Sequence, residues 1–138
     1  MKREIKFRGK RLDSGEWIYG SLVGIDDTAV IVDHRDFCWN PLTDVNSFWF
    51  DMENNEVDTN TLGQYTGLKD KNGIELYEGD VVCLGDIKRR TGVIERSDTK
   101  PGFVLEVNDT AFDLYYRNQH RYEVIGNIHD NPELIKPE

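Results

Sequence analysis

Three groups of residues in this sequence have types and spacings that chemistry could use. His34, Asp36 and Cys38 stand two apart, and alternate residues of a β-strand share a face, so the three could converge on one metal ion. The run Asp33-His34-Arg35-Asp36 instead reads as a polar turn, which offers no common face, and a fourth ligand would have to come from elsewhere. Cys38 or Cys83 with His120 or His129 could form a nucleophile–base pair, but neither cysteine carries a local signature for it. Cys83 lies in an apolar run, where a small core residue is expected. Glu75, Glu78 and Asp80 are closely spaced carboxylates, and two acids beside one substrate can serve hydrolysis. Asp80, following Gly79, reads as the acceptor of backbone N–H groups in a turn, and Glu75 as a solvated strand residue. Gly63, Gly67, Gly73 and Gly79 do not make a phosphate loop, because the Gly-Lys-Ser/Thr ending and the strand–GxGxxG–helix context are both absent. No catalytic, metal-binding or cofactor-binding residue is assigned on these grounds, and no cofactor is expected.

The composition sets bounds on what these residues serve. With 138 residues, 38% hydrophobic and 11% aromatic, the chain has the length of one domain or two small subdomains and can bury a core. Its formal charge is −9, and such a chain repels nucleic acid in bulk, since phosphate binding needs clustered Lys and Arg. Direct nucleic-acid binding is therefore not expected. No apolar run approaches the ~20 residues of a bilayer span, and the basic N-terminus is not followed by the apolar stretch of a secretory signal. Two cysteines far apart give no disulfide framework and read as reduced thiols of a cytoplasmic protein. The charge is uneven. Lys2, Arg3, Lys6, Arg8, Lys10 and Arg11 crowd the start, while Asp51, Glu53, Glu56 and Asp58 form an acidic patch.

The elements that must position these residues read as β-strands. Ile5 and Phe7 alternate with Lys6, Arg8 and Lys10, as in a strand with one buried and one cationic face, and the lysines read as protection of a sheet edge. Trp17–Val23 reads as a second strand in hairpin with the first, and Ala29–Val32 as a third, apolar on both sides. Trp39, Phe48, Trp49 and Phe50 form an aromatic cluster that serves packing or a protein interface. Val81–Leu84 lacks alternation, as in a strand covered on both faces. Gly92–Arg96, Phe103–Val107 with Phe103, Leu105 and Val107 inward, the Phe112–Leu114–Tyr116 alternation, and Tyr122–His129 follow, giving five short strands from Val81 onward. Asn131 and Pro132 can cap and start one short helical turn. No internal repeat is evident. The organisation expected is an N-terminal β subdomain over residues 1–60 and a barrel-like β subdomain over 61–138, with little helix.

The stretch Thr61–Val82 joins a glycine-punctuated approach, a tight turn and a second turn that delivers a buried strand. Thr61, Gln64, Tyr65 and Thr66 suit a strand around Gly63 and Gly67, and a strand glycine marks a bulge or a close backbone approach. Asn72-Gly73 signals a tight turn, and Glu78-Gly79-Asp80 a second. Gly63–Gly73, followed by Tyr77 and Glu78-Gly79-Asp80-Val81-Val82, resembles the hallmark of the YopX family of phage and prophage proteins. Ile5–Lys10 with Trp17–Gly20 resembles that family's opening, and Val124–Ile128 with Asn131–Leu134 its close. The resemblance implies an all-β fold with small SH3-like barrel or roll elements, a phage or prophage origin and no known activity.

Three function classes follow. The first is a non-enzymatic protein-binding or assembly module acting in the cytoplasm of a bacterial host, with an unknown protein partner. The second is an acidic modulator of a host nucleic-acid-binding protein, and the third an enzyme with an unrecognised site. Self-association is a further expectation, because the chain is small, carries a concentrated aromatic cluster and pairs a basic start with an acidic middle.

Overall fold

The computed structural model describes residues 5–25, 27–32, 55–84, 90–99, 101–107, 110–114 and 120–135. The described residues are mainly β, with 3-10 turns at Thr59–Thr61 and Pro132–Ile135. The chain divides into two compact units, residues 1–64 and 65–138.

In the first unit, β1 (Phe7–Lys10) forms an antiparallel hairpin with β2 (Trp17–Ile25), Phe7 opposite Gly20 and Lys10 opposite Trp17. Strand β2 continues against β3 (Thr28–Val32), and β3 against the two-residue β4 (Glu56–Val57). After the 3-10 turn the chain returns, and Gly63 and Gln64 of β5 (Gly63–Lys69) pair with Arg8 and Phe7. Strand β1 is therefore interior and not the sheet edge that its lysines suggested. The alternate residues Phe7, Ile18 and Leu22 pack with Ala29, Ile31, Val57 and Leu62 into the unit's core. A Cβ on Gly9 would stand 3.0 Å from Val57 Cβ, so Gly9 admits Val57. The outer side of β4 is met by the chain just beyond β1: Arg11 bridges Val57, and Leu12 N–H donates to Glu56 C=O (3.0 Å).

In the second unit, the later part of β5 forms a hairpin with β6 (Glu75–Tyr77). A five-stranded antiparallel sheet follows from β7 (Asp80–Leu84), β8 (Arg90–Arg96), β9 (Phe103–Val107), β10 (Thr110–Asp113) and β11 (Tyr122–Asn127), in the order β10-β9-β8-β7-β11. Leu76, Val82, Ile94, Leu105, Val107 and Tyr122 form its core. Strand β7 is buried along most of its length, as its unbroken apolar run requires. Val104 is buried together with Leu105 and Val107, so β9 is covered on both faces and does not simply alternate. Phe112, expected inward, is 44% exposed, because β10 is the outermost strand; Leu114 just beyond it packs against the core instead.

The two sheets share part of one strand order. Numbered within each sheet, β4-β3-β2-β1-β5 and β10-β9-β8-β7-β11 both run fourth, third, second, first, fifth, and β6 extends the first sheet beyond β5. In each, 3-10 conformation precedes the fifth strand, at Thr59–Thr61 and at residues 120–121. Among the described residues strand pairing leaves both sheets open.

Candidate functional site

The residues of Gly63–Val82 act on the backbone at three points. The first is an irregularity in β5. Tyr65 pairs with Tyr77 and Lys69 with Glu75, so three residues of β5 face only Leu76 between the paired positions. A bulge of this kind bends a strand and leaves ladder groups unpaired. Gly67 takes the bend at φ +90°, and the Thr66 hydroxyl replaces the missing ladder bonds: it donates to Leu76 C=O (2.8 Å) and accepts from Leu68 N–H (3.2 Å). The Tyr65 and Tyr77 rings, opposite each other, lie 5.5 Å apart between centroids.

The second point is the turn to β6. Asp70 N–H donates to Ile74 C=O (2.7 Å) and Gly73 N–H to Asp70 C=O (3.0 Å), with Gly73 at φ +82°. This is a three-residue loop, Lys71-Asn72-Gly73, closing on a glycine in the left-handed region. The buried Asp70 carboxylate organises it. Oδ1 accepts from Asn72 N–H (2.8 Å) and Ile74 N–H (2.9 Å), and Oδ2 accepts from Val124 N–H (3.1 Å) on β11. Lys71 N–H donates to Tyr122 C=O (2.9 Å), and Lys71 Nζ lies 3.1 Å from Glu123 Oε2. The turn thus covers the outer side of β11, an end strand of the five-stranded sheet. Capping an edge this way removes a template for pairing with another chain.

The third point is the Tyr77–Asp80 turn. The buried Asp80 accepts Tyr77 N–H at Oδ2 (2.8 Å), with Gly79 at φ +93°. Gly79 N–H donates to Ile94 C=O (2.8 Å), and its C=O accepts from Ile128 N–H (2.9 Å), so this turn links β8 to the end of β11. Asp80 does what the sequence indicated. Glu75 does not: it is half-buried and accepts the Tyr77 hydroxyl (3.1 Å) where a solvated side chain was expected.

A separate acidic group lies on β8 and β9. Val93 pairs with Glu106 and Glu95 with Val104, which makes Glu95 and Glu106 diagonal neighbours across the pair. Their carboxyls share a hydrogen bond, and Asp98 and Glu78 add further negative charge, so Glu95 is pushed up from the ordinary carboxylate range to about 7. The Glu106 hydrogen bond is the largest cause, partial burial comes second and the repulsion of Glu106, Asp98 and Glu78 third. Glu95 and Glu106 lie on different strands, and register makes them neighbours.

The other candidates are placed as follows. Arg8 lies over the Trp17 ring at 4.7 Å and Lys10 Nζ at 5.5 Å, so the cations of β1 cover an aromatic of β2. Cys83 is buried in β7, its Sγ 3.8 Å from Leu84 C=O. His120 is exposed, and His129 N–H donates to Asn127 Oδ1 (3.0 Å). Asn131, expected to cap the last turn, uses Oδ1 to accept from Asn127 N–H (3.3 Å), while its C=O accepts from Leu134 N–H (3.1 Å). His34, Asp36 and Cys38, and the aromatic cluster Trp39, Phe48, Trp49 and Phe50, lie outside the described residues. Among the described residues no three His, Cys, Asp or Glu side chains come together to hold a metal ion, and no helix is long and apolar enough to cross a membrane.

No curated protein matches the chain. Among solved structures it is similar to protein EF1440 from Enterococcus faecalis, at 28% identity and a TM-score of 0.56, over 98% of this chain and 100% of that one. The family described as YopX protein matches residues 6–136, from before β1 to beyond the final 3-10 turn. A match across nearly the whole length shows that the chain belongs to the YopX family.

Proposed function

We propose that this protein is a non-enzymatic protein-binding or assembly module of phage or prophage origin, acting in the cytoplasm of the bacterial host, with its second unit an SH3-like roll. The observation that carries this reading is the use made of the acids in the hallmark segment. Asp70 accepts three backbone N–H groups, and Asp80 accepts Tyr77 N–H. A carboxylate engaged by backbone donors holds structure and is poorly placed to move a proton for a substrate. The SH3-like reading is supported by the strand order of the five-stranded sheet and the 3-10 conformation before β11. Trp39, Phe48, Trp49 and Phe50 are the proposed contact surface, for a partner or a second copy of the chain.

Affinity capture with tagged protein from induced or infected cells tests the proposal. The expected result is a host or phage protein retained in constant ratio, and lost on Trp49→Ala with the fold intact. Retention unaffected by changes throughout the aromatic cluster would overturn the assigned surface, and recovery of no protein at all would overturn the binding module. The acidic group Glu78, Glu95, Asp98 and Glu106 favours a second reading, an acidic modulator of a nucleic-acid-binding protein. In that case the captured partner is a basic protein, is released by moderate salt and survives changes to the aromatic cluster.

A further inference from the structure

The Asn72-Gly73 pair lies on an exposed loop, and its chemistry is not used by any role described above. An asparagine followed by glycine can close on itself. The glycine backbone nitrogen, on losing its proton to solvent base, attacks the asparagine Cγ. The Cγ–Nδ2 bond breaks, ammonia leaves with a proton from solvent, and a five-membered imide remains. Water then opens the imide at either carbonyl, giving aspartate or isoaspartate. No redox step is involved, and glycine favours the closure because it has no side chain to obstruct it.

In this turn the attacking atom is already engaged. Gly73 N–H donates to Asp70 C=O at 3.0 Å, and the flanking Asn72 and Ile74 N–H groups are both held by Asp70 Oδ1 at 2.8 and 2.9 Å. The other carboxylate oxygen is tied to Val124 N–H at 3.1 Å, which fixes the loop against β11. Ring closure requires Gly73 N to leave its acceptor and Asn72 to rotate, so the turn must open first. We propose that Asn72 is a site of spontaneous deamidation whose rate is set by the Asp70 cap, slow while β11 is docked on the turn and fast once it is released. Formation of isoaspartate would lengthen the loop backbone by one carbon, incompatible with the Gly73-to-Asp70 bond, so each event would weaken the turn that restrained it.

The test is a time course in mildly alkaline buffer, read by peptide mapping with mass spectrometry at Asn72. The full chain is followed when folded and in denaturant, beside folded Asp70→Ala. The folded chain is expected to react at least about tenfold more slowly than the denatured one, as for a turn open in no more than roughly one molecule in ten. Folded Asp70→Ala is expected to move most of the way toward the denatured rate. Equal rates for folded and denatured wild-type chain would overturn the protective role of the turn, and an unchanged rate in folded Asp70→Ala would overturn that of Asp70. Absence of conversion even in denaturant would remove Asn72 as a site. Should Asp70→Ala fail to fold, the comparison of folded and denatured wild-type chain still decides whether the turn protects.

Discussion

Asp70 is buried, and each of its carboxylate oxygens accepts at least one backbone N–H. Truncation would leave the Val124 donor without this acceptor and free the loop, so Asp70→Ala is expected to lower stability by about 2 kcal/mol or more, measured by urea denaturation. Gly73 isolates a different effect. A Cβ there would meet nothing within 4 Å, so Gly73→Val tests only the φ of +82° and is expected to cost about 1–3 kcal/mol. Glu95 contributes a pH response. Its folded-state value, raised from 4.5 to about 7, exceeds the unfolded one, so the folded chain holds a proton that the unfolded chain releases. Its contribution is fully present below the unfolded value and is lost as pH rises through the folded one. The thermal midpoint should therefore fall between about pH 5 and about pH 8, and Glu95→Gln should flatten that fall. An identical slope in the variant would mean that the pair with Glu106 does not form in solution.

Strand contacts set the tolerance of the glycines in the elements. A Cβ on Gly92 in β8 would stand 2.8 Å from the Glu106 backbone oxygen and 2.7 Å from Val107 Cγ2, so β9 would have to shift. Gly92→Ala is expected to cost about 1–3 kcal/mol. Gly24 in β2 faces open space at an ordinary φ, and Gly24→Ala should be neutral or stabilising by about 0.4–1 kcal/mol. Urea denaturation of the two variants side by side separates close approach of strands from glycine content. Gly126 in β11 is closely packed against side chains instead of backbone: a Cβ there would lie 2.5 Å from Asn131 Oδ1, the group that accepts Asn127 N–H.

At the scale of the whole molecule, the proposed contact between copies has a simple measurement. Light scattering at micromolar concentration should give a mass above the 16.0 kDa of one chain, falling as salt rises if the basic start and acidic middle contribute. A single species of one chain's mass at low and high salt would reject self-association and leave the aromatic cluster to packing within a monomer or to a different partner. Each unit has its own apolar cluster, one including Ile31 and Val57, the other Leu76, Val82 and Ile94.

The amino-acid sequence by itself determined the features that depend on near neighbours. Alternation placed β1 and β2 within a few residues of their bounds, unbroken apolar runs identified β3 and β7 as doubly covered, and glycine with Asn or Asp located the turns at Asp70–Gly73 and Tyr77–Asp80. These signals are legible because side-chain period and backbone φ are local properties. The tertiary structure decided what depends on which strands meet. The same cationic β1 could have been an edge, and became interior because Gly63 and Gln64 return to it. Phe112 alternates as a core residue does, yet is exposed because β10 ends the sheet order. Glu95 and Glu106 were unremarkable until register set them side by side. The Asp70–Val124 bond joins residues 54 positions apart, a distance over which neither turn chemistry nor periodicity carries information. The repeat of strand order was likewise invisible, because two sheets can share a path through space while their side chains, filling different cores, share no pattern.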